Sequence, residues 1–343
     1  MLLTALIFIV FAAFYFLSKI CDKYFIISLD HIAHRFNMSE QAAGATLMAV
    51  GSSSAELFIA VIALFKPGNH AAIGMGTIVG SAIFNILVII GVAALLNRKK
   101  LHWQPIVRDL VFYSISILIL LLVFKDGIID LSESLIFIAI YIIYVVAVIN
   151  WKRISPQQPK IEKDSTAKTL SAKEAKLTQP QTKEFIRDHY YIVFTISITL
   201  IALLSWGLVE AAVAIADILQ IPSAIVALTI LAIGSSVPDL ISSYIVAKEG
   251  RGDMAIANAI GSNIFDILFG LGFPWLLFII FSKQQIPVDT ANLQSSVMLL
   301  GATVLAVTFL LIIRRWKIGN KSGFFLIASY LAYLVWAVME VMG

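Results

Sequence analysis

The feature that most constrains this chain is a succession of apolar runs of about 20 residues, the length a helix needs to cross the hydrocarbon core of a bilayer. Ten such runs are read from the sequence, at 2–20, 42–65, 71–96, 107–124, 128–150, 190–218, 223–247, 253–280, 291–313 and 322–342. Hydrophobic residues make up 60% of the chain and charged residues only 13%. A soluble domain is about half apolar and about a quarter charged, so a soluble fold would leave much apolar surface in water. Lipid solvates that surface directly. The expected class is therefore an all-α membrane protein with ten transmembrane helices and the lipid bilayer as its first partner. The run at 2–20 lacks a basic leader and a clear small-residue cleavage site, and is expected to be retained as a helix.

One segment breaks the pattern. Trp151 to Asp188 is polar, rich in lysine and almost free of large apolar residues. Such a stretch buries too little surface to offset its ordering entropy and reads as a flexible cytosolic linker over 151–188. It separates a first five-helix unit, 1–150, from a second, 189–343. With the N-terminus placed outside, 22 of the 25 lysines and arginines fall in the loops then facing the cytosol. That asymmetry supports both termini outside and the linker inside, most naturally in a plasma (inner) membrane. The net charge of +4 is read as this topology and not as nucleic-acid binding. Cys21 is the single cysteine, so an internal disulfide is excluded.

The two units repeat each other. GATLMAVGSSSAEL at 44–57 matches ALTILAIGSSVPDL at 227–240, pairing Thr46 with Thr229, Gly51 with Gly234 and Glu56 with Asp239. GMGTIVGSAIFNIL at 74–87 matches ANAIGSNIFDIL at 257–268, pairing Gly80 with Gly261, Ser81 with Ser262 and Asn85 with Asp266. Because each unit has an odd number of helices, the second enters the membrane in the opposite sense. The expected architecture is two inverted-topology five-helix repeats, with a site where they meet near the midplane.

Glu56, Asn85, Asp239 and Asp266 sit inside apolar runs that hold no lysine or arginine. An ionised residue at the bilayer centre costs at least about 2.5–3.5 kcal/mol, so these groups need partners. Cations are the obvious ones, against protonated carboxyls bonded between helices. A hard cation such as Ca²⁺ takes six to eight oxygens, which carboxylates, hydroxyls and carbonyls supply. Ser52, Ser53 and Ser54 stand near Glu56, and Ser235 and Ser236 near Asp239. Ser81 and Ser262 lie one turn before Asn85 and Asp266. Each serine could instead bond back to its own helix. Pro238 lacks an amide hydrogen, which frees the carbonyl of Gly234 and makes the backbone at Ala232 and Gly234 a candidate ligand. Ala55 stands where the second unit has Pro238, so the first-unit helix is expected to break less sharply. Gly76 with Gly80, and Ala257 with Gly261, are expected to let helices approach closely.

GSSSAELF with GTIVGSAIFNIL, and GSSVPDL with GDMAIANAIGSNIFDILFGLGFPW, resemble the two alpha repeats of the sodium/calcium exchanger superfamily. The acid pair of Glu56 and Asp239 and the run from Asp253 to Trp275 look most like the potassium-dependent branch, in a prokaryotic-type member. The resemblance implies that Glu56 and Asp239 hold calcium centrally and that Asn85 and Asp266 flank them. It implies that Ser52, Ser81, Ser235 and Ser262 help form sodium sites. An aspartate at the position of Asp266 is tied to potassium dependence in animal exchangers, while bacterial-type members share it without needing potassium, so potassium co-transport stays open. The chain departs from the pattern at Ala55, where proline is usual, and at Ala60, where the second unit has the hydroxyl of Ser243.

The transported ions implied are Ca²⁺ and Na⁺, with no cofactor. If ionised, Glu56, Asp239 and Asp266 carry three negative charges, which three Na⁺, or one Ca²⁺ with a K⁺ or a proton, would neutralise. Competition for one set of carboxylates gives exchange. The rival readings are a proton-driven calcium/cation exchanger and a passive cation channel. No nucleophile–base constellation and no phosphate-cradling loop is found, so no enzyme is expected. His31, His34, His70, His102 and His189 fall in loops or near helix ends and read as solvated.

Overall fold

The computed structural model describes residues 2–25, 27–28, 31, 49–67, 70–96, 101–154, 185–186, 188–248, 250, 252–288 and 291–342. Most of the expected linker therefore lies outside the described residues, as does the first part of the 42–65 run. Eight helical stretches among the described residues are long and apolar enough to cross a membrane: Leu3–Phe25, Ala71–Leu96, Trp103–Val123, Leu131–Trp151, Tyr190–Leu219, Ser223–Ile241, Ala255–Ser282 and Leu293–Ile313. The shorter apolar helix Ser54–Phe65 and the 23-residue helix Asn320–Met342 occupy the two remaining runs. Large apolar side chains such as Phe8, Leu118, Ile143, Leu203, Leu305 and Phe324 point outward. A helical fold with an apolar exterior suits lipid, because helices satisfy every backbone group within themselves.

Several runs are not simple rods. The run at 42–65 is helical over Ala49–Ser52, stops at Ser53 (φ −98°, ψ 14°) and resumes over Ser54–Phe65. The run at 223–247 stops at Ser236 (φ −82°, ψ 0°) between Ala232–Ser235 and Val237–Lys248. The two interruptions fall at repeat-equivalent positions. The expectation that the first would be milder, for want of a proline at Ala55, is thus corrected. A serine hydroxyl bonds back to a carbonyl of the preceding turn at each break: Ser54 donates to the carbonyl of Gly51 at 3.2 Å, and Ser235 donates to that of Ala232 at 3.4 Å. Such side-chain bonds compete with the helical ladder without any proline. Other departures were not foreseen, among them π-helical stretches at Cys21–Phe25 and Ala227–Leu231. Asn85–Ile89 is wound as a π-helix. At the equivalent place in the second unit the helix Gly252–Leu268 ends in a five-residue turn, with Gly270 N–H donating to Phe265 O at 2.9 Å, before Gly272–Ser282 begins. Wide turns of this kind are frequent at functional sites.

The contacts between the two units come in exchanged pairs. Ala71–Phe84 packs on Ala232–Ser235, and Gly252–Leu268 on Ala49–Ser52. Trp103–Val123 packs on Gly252–Leu268, and Ala291–Ile313 on Ala71–Phe84. Leu131–Ile154 packs on Gly272–Ser282, and Asn320–Met342 on Ile90–Leu96. The first helices of the two units, Leu2–Ile20 and Tyr190–Leu219, pack on each other and share a separate apolar cluster with Ala55, Ile59, Val226 and Leu231.

Loops meet at both ends of the bundle. Ile128–Ile129 and Ile286–Pro287 form a short antiparallel pair, extended by Val288 N–H donating to Gly127 O at 2.9 Å. At another junction Leu101 N–H donates to Trp316 O at 2.8 Å, the rings of Trp103 and Trp316 lie 6.5 Å apart, and His102 contacts the Asp253 carboxylate at 2.6 Å. The entry to Leu131–Ile154 is fixed by a reciprocal cap. Asp130 accepts from the N–H of Glu133 at 2.9 Å, and Glu133 accepts from the N–H of Asp130 at 3.0 Å. Hydrogen bonds from Ser132 and from the backbone at Glu133 hold the Asp130 carboxyl below its usual range. The cap is therefore present above the ordinary aspartate pKa and is lost as pH falls through the lowered native value. Asp130→Ala should lower stability by about 1 kcal/mol in a neutral-pH thermal melt, with the difference vanishing under acid.

Two of the expected small-residue contacts differ in kind. A Cβ on Gly80 would overlap the carbonyl oxygen of Leu228, and one on Gly76 would stand 2.9 Å from that of Ala224. The first motif is a true close approach. A Cβ on Gly261 would meet only the Tyr144 hydroxyl, at 3.6 Å, so the Ala257–Gly261 motif does not seat a helix there. An unforeseen close approach joins Gly91 to Gly323, where a Cβ on Gly323 would stand 2.6 Å from the Gly91 carbonyl.

Candidate cation site

The two broken helices place their carboxylates alike. Glu56 lies in the first turn of Ser54–Phe65, and Asp239 in the first turn of Val237–Lys248. Unpaired N–H groups at a helix start favour negative charge, so each break both exposes backbone and supports its acid. Glu56, Asp239, Asn85 and Asp266 are all fully buried. The three carboxylates act on one another electrostatically, which sets them in one region of the interior.

Side chains from the two units interlock there. The Asn85 amide donates to Asp239 Oδ2 at 3.4 Å, and Ser262 Oγ donates to Asp239 Oδ1 at 3.4 Å. Ser235 stands beside Glu56 and Ser53 beside Asp266, as neighbours and not in formed hydrogen bonds. Both carboxylate oxygens of Glu56, both of Asp266, the Asn85 Oδ1 and the hydroxyls of Ser53 and Ser236 have no hydrogen-bond partner. Buried polar atoms are nearly always paired, and an unpaired one costs about 1–3 kcal/mol. Five of these oxygens, on Glu56, Asp266 and Asn85, can only accept when the carboxyls are ionised, and the two serine hydroxyls can accept as well as donate.

The ten expected residues do not all stand in the same way. Glu56, Asn85, Asp239, Asp266, Ser53, Ser235 and Ser262 are brought together, and Ser236 is buried at the second break. Ser52 is buried beside the first break. Ser81 is buried, but its hydroxyl donates to the Ile78 carbonyl at 2.9 Å, the bond back to its own helix. Its lone pairs stay available. The Ala232 carbonyl, named beside Gly234 as a candidate ligand, accepts from Ser236 N–H at 3.3 Å as well as from Ser235. Among the described residues, no three acidic, histidine or cysteine side chains converge closely enough to chelate one ion by themselves. A cation shell here must combine one or two carboxylates with serine, asparagine and carbonyl oxygens, which suits a hard ion.

Two polar residues of this region were missed. Asn263 is fully buried; its amide donates to the carbonyl of Ala82 at 3.1 Å and to the Tyr113 hydroxyl at 2.9 Å, and its Oδ1 accepts from Asn85 at 2.9 Å. The repeat comparison hides Asn263, because its counterpart in the first unit is Ala82. The available signal was an amide inside an apolar span, one turn before Asp266. Tyr113 carries no such signal, since tyrosine is common in membrane helices.

A family profile described as sodium/calcium exchanger protein matches residues 6–150 and 189–339. The chain is similar to sodium/potassium/calcium exchanger 4 of Mus musculus, at 27% identity over 95% of this chain and 79% of the relative. It is likewise similar to sodium/potassium/calcium exchanger 5 of Homo sapiens, at 27% identity over 95% of this chain and 81% of the relative. A solved structure of the sodium-calcium exchanger NCX_Mj, soaked with Na⁺ and Sr²⁺, shares the fold with a TM-score of 0.61 and 24% identity, covering 96% of this chain and 98% of that one.

Proposed function

The chain belongs to the sodium/calcium exchanger protein family, and from that membership we propose that it is a secondary active antiporter that exchanges Na⁺ for Ca²⁺ by alternating access. The observation that carries the reading is the set of buried, partnerless oxygens to which both units contribute, centred on Glu56 and Asp266, beside the buried Asp239 carboxylate that Asn85 and Ser262 hold. Calcium and sodium compete for these carboxylates with Asn85 and the serines 52, 53, 81, 235, 236 and 262 completing their shells. Occupancy by one ion excludes the other, which is the minimum an exchanger needs. One Ca²⁺ against three ionised carboxylates leaves a single negative charge. K⁺ is the ion we assign to it, because the relatives are named as sodium/potassium/calcium exchangers. Inward and outward access would alternate around this fixed site as the two units move against each other.

The same reading takes all ten runs as spans in two inverted repeats. The exchanged pairs of helix contacts support a two-fold relation between units. The loop contacts support the span count. The two strands join loops both assigned to the outside, whereas Leu101 with Trp316 and His102 with Asp253 join loops all assigned to the cytosol. Losing one span would put partners on opposite faces. In a Cys21→Ala background, cysteines placed at Lys125 and Lys283 should react with an impermeant maleimide from outside the cell. Cysteines at His102 and Lys317 should react only after the membrane is opened. Labelling of Lys283→Cys and Lys317→Cys from the same side would overturn the arrangement.

The transport test uses purified full-length protein in sealed proteoliposomes. An outward Na⁺ gradient should drive Ca²⁺ uptake, and uptake should rise when K⁺ is supplied on the calcium side. Calcium uptake driven by a pH gradient in sodium-free medium would favour the proton-driven alternative.

A further inference from the structure

We propose that Asn263 is a positioning residue that sets which way the Asn85 amide faces, so that the cation site receives a carbonyl oxygen and not an N–H. The inference rests on the exchange reading of the same site. Its argument begins at Ala82. A backbone carbonyl can only accept, so the group that touches Ala82 O at 3.1 Å must be the Asn263 amide nitrogen. That nitrogen has two hydrogens, and the second goes to the Tyr113 hydroxyl at 2.9 Å. Both donors are then engaged, and Oδ1 of Asn263 is left facing Asn85. Asn85 must therefore turn its own amide nitrogen to Asn263, at 2.9 Å, with its other N–H directed to Asp239 Oδ2.

One oxygen remains. Asn85 Oδ1 is buried and has no partner. An amide oxygen is a good ligand for a hard cation, whereas an N–H in its place would repel one. A rotated Asn85 amide would also set its oxygen against the Asn263 oxygen and the Asp239 carboxylate, three acceptors with no hydrogen between them. The chain from Ala82 through Asn263 to Asn85 thus removes the unproductive orientation. It also ties the two units, since Asn263 comes from the second while Ala82, Asn85 and Tyr113 come from the first. An Asn263 bond to Ala82, its own repeat counterpart, makes the device asymmetric. The same bond is impossible at Ala82 itself, and Asp266, which stands where Asn85 would in the second unit, needs no orienting because its two oxygens are alike.

The test is a double-mutant cycle on the full-length chain. Calcium binding is read in detergent from the calcium-dependent rise in thermal midpoint, and transport in proteoliposomes from the KM and maximal rate of sodium-driven uptake. Removing an orienting partner typically costs about 10- to 100-fold in metal affinity, so Asn263→Ala should weaken calcium about tenfold and raise KM more than it lowers the maximal rate. Asn85→Ala should weaken calcium by at least as much. The double variant should be no weaker than Asn85→Ala alone, because Asn263 acts only through Asn85. Multiplicative losses in the double variant, or native calcium affinity in Asn263→Ala, would overturn the proposal. Should Asn263→Ala not fold, Tyr113→Phe removes one acceptor and keeps the ring. It should weaken calcium in the native background and add nothing in Asn85→Ala; an equal effect in both backgrounds overturns the proposal. If the native protein binds calcium but shows no sodium-driven uptake, the exchange reading fails alone. If it exchanges and the cycle is multiplicative, the positioning role fails alone.

Discussion

Glu56→Gln is expected to abolish sodium-driven calcium uptake while leaving the protein folded. The substitution keeps the shape of the side chain and removes one charge from a fully buried position. Loss of a residue that merely orients a ligand costs about 10- to 100-fold in metal affinity, so loss of a charged ligand should cost more than about 100-fold. Asp239→Asn should behave alike, because it stands at the equivalent place in the second broken helix. Stability gives the contrasting readout. Both Glu56 oxygens lack a hydrogen-bond partner within the protein, and a buried charge without a partner is costly. The Glu56→Gln protein should therefore melt at or above the native temperature in calcium-free detergent and should lose the stabilisation that calcium gives the native protein. Undiminished uptake by Glu56→Gln would remove the carboxylate from the mechanism.

The second large effect concerns packing. Gly80→Leu should prevent assembly of a folded protein. Even the first carbon of a side chain there would overlap the Leu228 carbonyl and crowd the Ala232 methyl group. The helix that carries Asn85 and the run that carries Asp239 would have to separate. Overpacking of one or two methylenes costs about 1–3 kcal/mol where side chains can shift, and here the obstacle is backbone. Gly80→Ala should already lower the thermal midpoint and weaken calcium binding together. Gly207→Ala is the control: a Cβ there meets nothing within 4 Å. It should be neutral or slightly stabilising, since alanine is favoured over glycine by about 1 kcal/mol within a helix. Equal yields of monodisperse protein from Gly80→Leu and Gly207→Ala would show that the two helices do not meet as described.

The parts of the site legible in the sequence were those that broke a simple pattern twice. Glu56 and Asp239 are acids within apolar runs, and they recur at one fixed offset. Asn85 and Asp266 do the same at another. The helix breaks were legible only in the second unit, where Pro238 announces one. At Ser53 the break accompanies a hydroxyl bond from Ser54 to the Gly51 carbonyl, and a Gly-Ser run without proline does not announce it. The wide turn at Asn85–Ile89 is invisible for a different reason, since Asn-Ile-Leu-Val-Ile has no residue that demands it. Asn263 is hidden because the repeat marks the other site residues in pairs, and Asn263 is where the repeat fails, with Ala82 as its counterpart. Gly261 shows the converse error. It matches Gly80 in sequence, yet its partner is a tyrosine hydroxyl at contact distance and not a helix backbone.

The most direct test of the central claim is calcium accumulation by proteoliposomes containing the full-length protein, loaded with sodium, with pH clamped equal on both sides. Calcium should accumulate against its own gradient, collapse when sodium is equalised across the membrane, and fall to background in Glu56→Gln. Calcium entry that only follows its own gradient, or that persists unchanged with no sodium present, would mean that the buried oxygens do not couple the two ions.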